Sequence, residues 1–418
     1  MRATTAFNRM LAIPGASVVS IAFEPEGIVV AIQRRFRRLT CPDCSWSGPS
    51  IYDRSTRRWR HVDAGGSKLW LECEIRRLRC RRCERVVTEA VPWARPAARL
   101  TADVQDLAAH MAQRMDKTTV CALLRLSFET VADLVCDVVA EHINDERLNE
   151  LYRIGVDEIS YRKGHRYLTI VADHDTGSSV VWAGEGKSAS ALAGFYELLG
   201  PERCAQLEAV SLDMGGAFAK ATTEHAPKAL QCIDPFHVIK LANEAIDRVR
   251  RRAWNDERHH RRVGRPPNDL KQRARQIKHT RWALLKDPAS LTDTQRQTLR
   301  QLEAERSVLY RCWQLKEALR DLYRLADPLD ARAHLAWWLS WACRCRIPEI
   351  IKLSRTLRKH REGIVAAIEQ GLSNSRLEGT NSKIRLINHR GYGHHTARSL
   401  IAMIYLCCGG ITIDLPLR

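Results

Sequence analysis

Three acidic residues, Asp157, Asp213 and Glu378, are the side chains whose positions in the sequence best suit chemistry. Asp157 follows the apolar run 154–156, so we expect it where a strand ends. Asp213 closes a second short apolar run, 207–212, and Glu378 lies in a polar helix rich in cations. Clustered carboxylates in a basic chain are typical of divalent-cation sites that act on a phosphodiester backbone. The three acids therefore predict an enzyme that processes DNA.

Neighbouring acids compete for the same roles: Glu158, Asp173, Asp175 and Asp234. A single acid at the end of a strand is usually solvated, so one such residue is weak support for a site. A pair of Mg²⁺ or Mn²⁺ ions needs shared carboxylates and prefers oxygen ligands, so neither His nor Cys is required. The residues by themselves leave the choice among these acids open.

Two Cys-x-x-Cys pairs, Cys41 with Cys44 and Cys80 with Cys83, form the most specific local motif. Four thiolates suit tetrahedral Zn²⁺ and leave no open position for water, so we predict a structural zinc site. The 35 residues between the pairs exceed the usual spacing, and a long β-hairpin would accommodate them. The alternative is a set of buried thiols that bind nothing. We find no secretory signal, and the reducing cytosol that we expect favours metal over disulfides.

The charge of the chain favours a polyanionic partner. Its 418 residues carry a formal net charge of +19. Residues 1–100 hold 19 Lys and Arg against 9 Asp and Glu, so about half of the excess lies in a quarter of the chain. Such clustering is typical of nucleic-acid binding rather than of scattered surface cations. No apolar run approaches the ~20 residues that a membrane helix needs, so no membrane contact is expected.

Hydrophobic periodicity predicts the elements that must position these residues. Strands are expected at Ala16–Phe23, Gly27–Gln33 and 69–76, and again near 153–159, 166–173, 178–184, 207–213 and 228–233. Helices are expected near 188–199 and 216–225, and residues 237–370 have a helical pattern almost throughout.

Residues 101–145 also have a helical period, and they resemble a helix-turn-helix. Lys117–Leu126 would form the first helix and Phe128–Ala140 the recognition helix, with Ser127 as its N-cap. The recognition helix carries only acidic charges: Glu129, Asp133 and Asp137. A helical hairpin that links two domains is therefore the alternative.

Asp234-Pro235-Phe236-His237 directly follows the last predicted strand. A helix start, with Asp234 as N-cap and Pro235 at the first helical position, explains this segment fully. A dense run of arginines follows, which includes Arg251 and Arg252 and continues through Gly264–Pro267. It predicts either contacts with phosphates or a solvated charged face.

Together these motifs resemble the bacterial insertion-sequence transposases of the IS-L-three family. The resemblance rests on the two cysteine pairs and on the segments Gly155–Glu158, Val210–Met214, Asp234–Ala245, Leu377–Arg385 and Arg390–Gly393. It implies an RNase H-like domain in which Asp157, Asp213 and Glu378 form a metal-binding DDE triad. It also implies that Asp234 and His237 are accessory residues, as part of an Asp-x-x-His signature.

The resemblance implies a multidomain fold. We expect an N-terminal β-rich zinc ribbon in 1–100, an all-α helix-turn-helix in 101–150 and an α/β RNase H-like catalytic core that begins in 151–245. A large all-α insertion in 246–370 would separate this part from a final part, 371–418, which carries the last acid helix. DNA contacts are expected from basic side chains near the motifs and from one threonine: Arg34, Arg35, Arg81, Arg82, Thr130, Arg251, Arg252, Lys383, Arg385 and Arg390.

The expected activity is Mg²⁺-dependent transposition. The protein would bind the terminal inverted repeats as a homodimer or larger assembly, hydrolyse the end phosphodiester and join the 3′-OH to target DNA. It would be cytoplasmic and nucleoid-associated when bound to DNA. Two alternatives stay open: a catalytically idle DNA-binding regulator, and a tyrosine recombinase that uses Tyr392 with Arg390, His394 and His395.

Overall fold

The computed structural model describes residues 1–49, 51–176, 179–259, 268–325, 327–391, 394 and 396–415. It divides the chain into two compact units: a first unit of Met1–Asn144 with Leu386–Arg418, and a second unit of Asp145–Arg385. The arginine-rich segment Gly264–Pro267 lies outside the described residues. So do Tyr392 and His395, on which the recombinase alternative depends.

The N-terminal part of the first unit is built on a β-sheet. After helix α1 (Ala3–Leu11) come strands β1 (Ala16–Glu24), β2 (Gly27–Arg34), β3 (Leu39–Thr40), β4 (Ser47–Gly48), β5 (Asp53–Ala64), β6 (Ser67–Arg79) and β7 (Val86–Thr88). The sheet has the order β1-β2-β6-β5, with β7 paired to β6, while β3 and β4 form a separate small ladder. Strands β5 and β6 form an antiparallel hairpin. This hairpin confirms the predicted long connection between the cysteine pairs.

The alternating residues of β6 explain the core of this sheet. Leu69, Leu71 and Ile75 are buried, as their spacing of two predicts. They share a hydrophobic cluster with Trp59 and Trp93, whose rings meet edge to face at 5.8 Å. The sheet therefore has its own core, apart from the cysteine knuckles.

The rest of the first unit is helical. It contains α2 (Ala102–Arg114), α3 (Lys117–Leu124) and α4 (Phe128–His142). Ser127 caps α4 by accepting the N–H of Thr130, which confirms the predicted turn. The helix α17 (Ala397–Cys408) belongs to the same hydrophobic cluster as α2 and α4. Leu386–Arg418 group with this first unit by contact, and the predicted bounds 371–418 for the final part of the catalytic core stay a prediction.

A mixed sheet organises the second unit. Its strands are β8 (Arg153–Arg162), β9 (Arg166–Asp173), β10 (Val180–Glu185), β11 (Ala209–Leu212) and β12 (Leu230–Ile233). They lie in the order β10-β9-β8-β11-β12. Strands β8 to β10 pair antiparallel, whereas β11 is parallel to both β8 and β12. Helices α5 (Ala189–Leu199), α6 (Pro201–Cys204) and α7 (Gly216–His225) connect them.

One predicted position on this sheet is wrong. Asp157 lies in the middle of β8, not at its end. The strand continues to Arg162 because its hairpin partner β9 pairs with it that far. Asp213 does follow the last residue of β11 directly, as predicted.

Beyond β12 the described part of the second unit is helical, as predicted. Its helices are α8 (Pro235–His259), α9 (Asn268–His279), α10 (Arg281–Leu285), α11 (Asp293–Ala304), α12 (Val308–Asp321), α13 (Pro328–Arg344), α14 (Pro348–Lys359), α15 (Arg361–Glu369) and α16 (Ser375–Arg390). One hydrophobic cluster joins α8 with α10 to α15, and it includes the fully buried Trp338. No helix in the described ranges has the length and apolar character to cross a membrane.

Candidate active site

Three aspartates stand level with one another on neighbouring parallel strands: Asp157 on β8, Asp213 after β11 and Asp234 after β12. Ala209 of β11 lies opposite Arg153 on one side and Leu230 on the other. The three aspartates lie four residues after these paired positions: Asp157 after Arg153, Asp213 after Ala209 and Asp234 after Leu230. The register of the strands therefore brings the three aspartates to the same level of the sheet. Residues in register on adjacent strands point to the same face, and strands lie ~4.8 Å apart. We call these three residues the aspartate row.

The surroundings of Asp157 raise the pKa of its carboxyl. Burial raises the pKa of this carboxyl, and the negative charge of Asp213 raises it further. The N–H of Glu158, the imidazole of His237 and the amide of Asn381 act in the opposite direction on this pKa. Because the net effect is a raised pKa, the ionised carboxylate lacks full compensation, and a divalent cation would supply it.

Backbone N–H groups hold one oxygen of each of the first two aspartates. Oδ1 of Asp157 accepts the N–H of Glu158 at 2.8 Å, and Oδ1 of Asp213 accepts the N–H of Gly215 at 2.8 Å. Both carboxylates therefore have a defined orientation before any cation binds. Glu158 itself points toward Lys187, whose Nζ lies 3.9 Å from its carboxylate.

Helix α16 crosses the aspartate row. At one end Asp234 Oδ1 accepts the N–H of Asn374 at 3.0 Å, and at the other Asn381 Nδ2 donates to Asp157 Oδ2 at 2.5 Å. Seven residues of helix rise about 10.5 Å, and two strand spacings measure about 9.6 Å, so helix and row match in length. Glu378 lies between the two contacts on the same helix face, four residues after Asn374 and three residues before Asn381. The side chain of Glu378 is exposed.

The acids fit a hard divalent cation by their chemistry, and Asp213 and Asp234 also directly follow the carboxyl ends of parallel strands. In the described part of the chain, however, they do not bring three ligand oxygens within 4.8 Å of one another. Asp157 and Asp213 are adjacent in register, and Glu378 approaches on α16 from outside the sheet. The arrangement is an open site whose third acid comes from a separate element.

Asp234 directly precedes helix α8, which starts at Pro235 as the sequence predicts, and it is 2% exposed. Its carboxylate accepts an N–H from Asn374, which is 140 residues away. His237 Nε2 lies 3.9 Å from its second oxygen. Asp234 thus connects two helix starts, so its contacts go beyond a local cap.

Two of the competing acids have local structural roles. Asp173 is buried and accepts the N–H groups of Asp175 and Thr176 in the turn after β9. Asp175 is bound to the guanidinium of Arg153. These contacts separate both acids from the aspartate row.

Sequence reasoning missed the polar residues that connect α16 to the sheet. Asn374 and Asn381 are 5% and 1% exposed. A side chain at Gly155 would meet the imidazole of His174 at 2.7 Å and the amide of Asn374 at 3.1 Å. Gly155, two residues before Asp157, therefore leaves room for these two groups. The spacing of Asn374, Glu378 and Asn381 on one helix face was the available signal.

The four cysteines of the two pairs form the predicted metal cluster. Their Sγ atoms all lie within 4.8 Å of one another, and Cys44 and Cys80 Sγ are 3.5 Å apart. Tetrahedral Zn²⁺ with Zn–S bonds of ~2.3 Å needs sulfurs about 3.8 Å apart, so the set fits zinc. Burial tends to raise the pKa of Cys80, but N–H groups of Cys83 and Arg82 and neighbouring thiols lower it to about 7.

Three family models match successive parts of the chain. Residues 154–404, more than half of the chain, match a DDE domain described as a transposase. Residues 89–137 match the helix-turn-helix domain of transposase family ISL3. The chain belongs to the ISL3, or IS-L-three, transposase family. Residues 33–83 of this transposase match the zinc finger of the transposases of IS204, IS1001, IS1096 and IS1165.

Proteins similar to this transposase carry corresponding names. The transposase for insertion sequence element IS1557 of Mycobacterium tuberculosis is 39% identical over 439 aligned positions, covering 100% of this chain and 98% of that protein. The transposase for IS1001 of Bordetella parapertussis is 28% identical over 357 positions, 85% of each chain. These matches confirm the resemblance and a metal-dependent DDE enzyme with a DNA-binding helix-turn-helix and a structural zinc ribbon.

Two of the predicted DNA contacts of this transposase have structural partners. The side chain of Arg34 is 5% exposed and forms a buried ion pair with Glu89. That burial gives Arg34 a structural partner, and its contact with DNA stays a prediction. The guanidinium of Arg390 donates to the backbone carbonyls of Ala112 and Gln113, each at 3.2 Å, at the end of α2.

Other predicted contacts lie on the surface of the transposase: Arg35, Arg81, Arg82, Arg251, Arg252, Lys383 and Arg385. Arg251 pairs with Asp247 at 2.7 Å and Arg252 with Glu349 at 3.1 Å, so these two have intramolecular partners as well. Thr130 is partly buried at the start of α4, where it also bonds to Ser127. Their contacts with DNA stay predictions.

Proposed function

We propose that this transposase binds the terminal inverted repeats of its insertion sequence, cleaves at each end with Mg²⁺ or Mn²⁺, and joins the freed 3′-OH to target DNA. The observation that carries this proposal is the aspartate row crossed by the helix of Glu378. Asp157 on β8 and Asp213 after β11 lie on neighbouring strands, and α16, which carries Glu378, contacts Asp157 through Asn381. An open site of this kind suits a long duplex rather than an enclosed small molecule.

We further propose that the catalytic domain has an RNase H-like fold. The sheet order β10-β9-β8-β11-β12 supports it, with antiparallel strands on one side of β8 and parallel strands on the other. In that fold the long helical segment between β12 and α16 is an insertion, as the sequence suggests.

Asp157, Asp213 and Glu378 would hold the divalent cations. When bound, the cations neutralise charge on the scissile phosphate and activate the attacking oxygen. The N–H groups of Glu158 and Gly215 keep the first two carboxylates oriented. His237 favours the ionised form of Asp157, because it lowers the pKa of that carboxyl.

The two chemical steps need no covalent protein intermediate. In the first, a water oxygen bonds to phosphorus while the bond to the 3′ oxygen breaks, which leaves a 3′-OH on the element and a 5′-phosphate on the flank. In the second, that 3′-OH oxygen bonds to a target phosphorus while a target 3′ oxygen leaves with a proton. Both steps are in-line displacements, so positioning supplies much of the rate.

DNA recognition would come from the zinc ribbon and the helix-turn-helix. The exposed charges along the middle of α4 are acidic, so repeat recognition would use its N-terminal turn near Thr130 and the basic side chains Arg81 and Arg82 of the second knuckle. Two ends must be held together during joining, so we propose a homodimer or a larger assembly.

A labelled duplex that carries the transposon end tests the proposal. Purified transposase is incubated with it in Mg²⁺ or EDTA, and nicked products are resolved by size. We expect Mg²⁺-dependent nicking that Asp157→Asn abolishes, while the control Asp175→Asn, in the turn after β9, retains it. Binding without nicking by the wild type would favour a DNA-binding regulator. A covalent protein–DNA adduct would favour the tyrosine recombinase.

A further inference from the structure

Asn381 is the side chain that joins helix α16 to the central strand of the candidate site. Its Nδ2 donates to Asp157 Oδ2 at 2.5 Å. The residue is 1% exposed, and its Oδ1 has no hydrogen-bond partner within the described ranges. A buried amide with an unpaired oxygen is costly, so its position has a reason other than stability alone.

The hydrogen bonds of Asp157 suggest that reason. One oxygen accepts the N–H of Glu158 and the other accepts the amide of Asn381, so two donors fix the plane of the carboxylate. Each carboxylate oxygen has two lone pairs, so each keeps one for a cation. A neutral amide suits this position, because a lysine or arginine would compete with the cation and an acid would repel the carboxylate.

The same bond sets the position of the helix. Asp234 holds its N-terminal end through Asn374, and Asn381 holds it one turn after Glu378. The two contacts lie on either side of Glu378, so they hold that stretch of α16 against the aspartate row. Loss of either contact removes one of these two hydrogen bonds.

We propose that Asn381 is a positioning residue for the metal-binding acids. It orients the carboxylate of Asp157 for a divalent cation and fixes Glu378 over the row. This inference rests on the proposed function of the three acids. The alternative role is competition with the metal: the hydrogen bond from Asn381 would occupy a lone pair that the cation needs, and Asn381 would then weaken metal binding.

Direct metal binding separates these two roles. Mn²⁺ is titrated into the full-length transposase without DNA, and free Mn²⁺ is measured by electron paramagnetic resonance. Partners that orient a metal ligand typically contribute 10–100-fold to affinity. We expect Asn381→Ala to weaken the Asp157-dependent Mn²⁺ binding by about that factor, and the exposed neighbour Ser382→Ala to leave it unchanged. Unchanged or tighter Mn²⁺ binding by a folded Asn381→Ala protein overturns the proposal.

Cleavage assays supply a second readout. In a Mg²⁺ titration, Asn381→Ala should need about 10–100-fold more Mg²⁺ for half-maximal nicking but recover much of the rate at saturation. A defect in rate alone, with the Mg²⁺ midpoint unmoved, contradicts a positioning role. Asn381→Leu, which has similar volume and no donor, serves as a second variant if the alanine protein does not fold, and the same shifts are expected of it.

The outcomes distinguish this inference from the proposed function. If wild-type protein binds Mn²⁺ through Asp157 and Asn381→Ala weakens it, but no DNA is cleaved, the positioning role stands and the proposed activity fails. If wild-type Mn²⁺ binding does not depend on Asp157, both fail. If Asp157→Asn abolishes binding and Asn381→Ala does not change it, only the positioning role fails.

Discussion

Replacing Cys83 with serine, combined with an acid titration, is the sharpest test of the zinc ribbon. Zinc binds thiolates, so it must displace every proton that the thiols carry. Hydrogen bonding to Cys44, together with burial, raises the pKa of Cys83 to about 12. Burial also raises the pKa of Cys41 above its ordinary 9.0. Both thiols therefore hold a proton at pH 7 in the metal-free protein.

The magnitude follows from those two protons. Each costs a tenfold loss of zinc affinity per pH unit below its pKa, so affinity falls at least about 100-fold per unit and about 10⁴-fold from pH 7 to pH 5. Structural zinc sites bind with ~10–16 kcal/mol at pH 7, or about 10⁷–10¹² M⁻¹. At pH 5 the weaker end of this range is only about 10³ M⁻¹. Zinc-dependent stability is thus present at neutral pH and lost as the pH falls.

Zinc content and local exchange measure this effect. We expect one zinc per chain at pH 7, release between pH 7 and pH 5, and loss of zinc in Cys83→Ser. The exposed thiol control Cys343→Ser should keep its zinc. Hydrogen exchange should rise in the knuckle segments 39–48 and 78–88, whose small cluster contains Leu39 and Leu78. The core of the neighbouring sheet should stay protected.

Two results would refute this reasoning. One is a Cys83→Ser protein that keeps a full complement of zinc, because the four-thiolate site would then not hold the metal. The other is a zinc affinity, measured against a competing chelator, that does not fall from pH 7 to pH 5, because the displaced protons would then be absent.

Three further predictions concern buried groups. Gly155→Ala should reduce nicking in a folded protein, because the new methyl group meets His174 and Asn374 and displaces the start of α16. Overpacking of this kind should lower the free energy of unfolding by about 1–3 kcal/mol, which urea unfolding measures. At limiting Mg²⁺, nicking should be lost as the pH falls through the raised pKa of Asp157, because protonation removes a cation ligand. The midpoint should lie above the ordinary 3.8, and a midpoint at 3.8 or below contradicts this. Arg34→Ala should destabilise the first unit by about 3–5 kcal/mol, because it leaves the buried carboxylate of Glu89 unpaired. Arg34→Lys should destabilise it less, and thermal unfolding of both variants measures the difference.

Local patterns in the sequence determined many of the elements and the zinc ligands. The helix at Gly216–His225 was predicted with its bounds, and the cap at Ser127 was predicted from its residue type. The four cysteines were predicted from spacing, because each knuckle is a local turn. Such features depend on residues a few positions apart, so a single sequence is enough to find them.

The candidate acids show which structural features local patterns in the sequence do not predict. Asp213 was predicted at the end of its strand, because the apolar run stops there. Asp157 was placed at a strand end as well, but pairing with β9 carries β8 beyond it. Glu378 was identified through the family resemblance, since nothing in its own segment indicates that α16 crosses the sheet.

Sequence alone therefore determined many of the elements, the zinc ligands and the resemblance of this chain to a transposase family. Only the tertiary structure decided the level alignment of the aspartate row, the contacts of α16 with that row and the burial of Arg34. The bond between Asn381 and Asp157 spans 224 residues of chain. Strand register and helix crossing depend on such distant contacts, and periodicity within a segment carries no information about them.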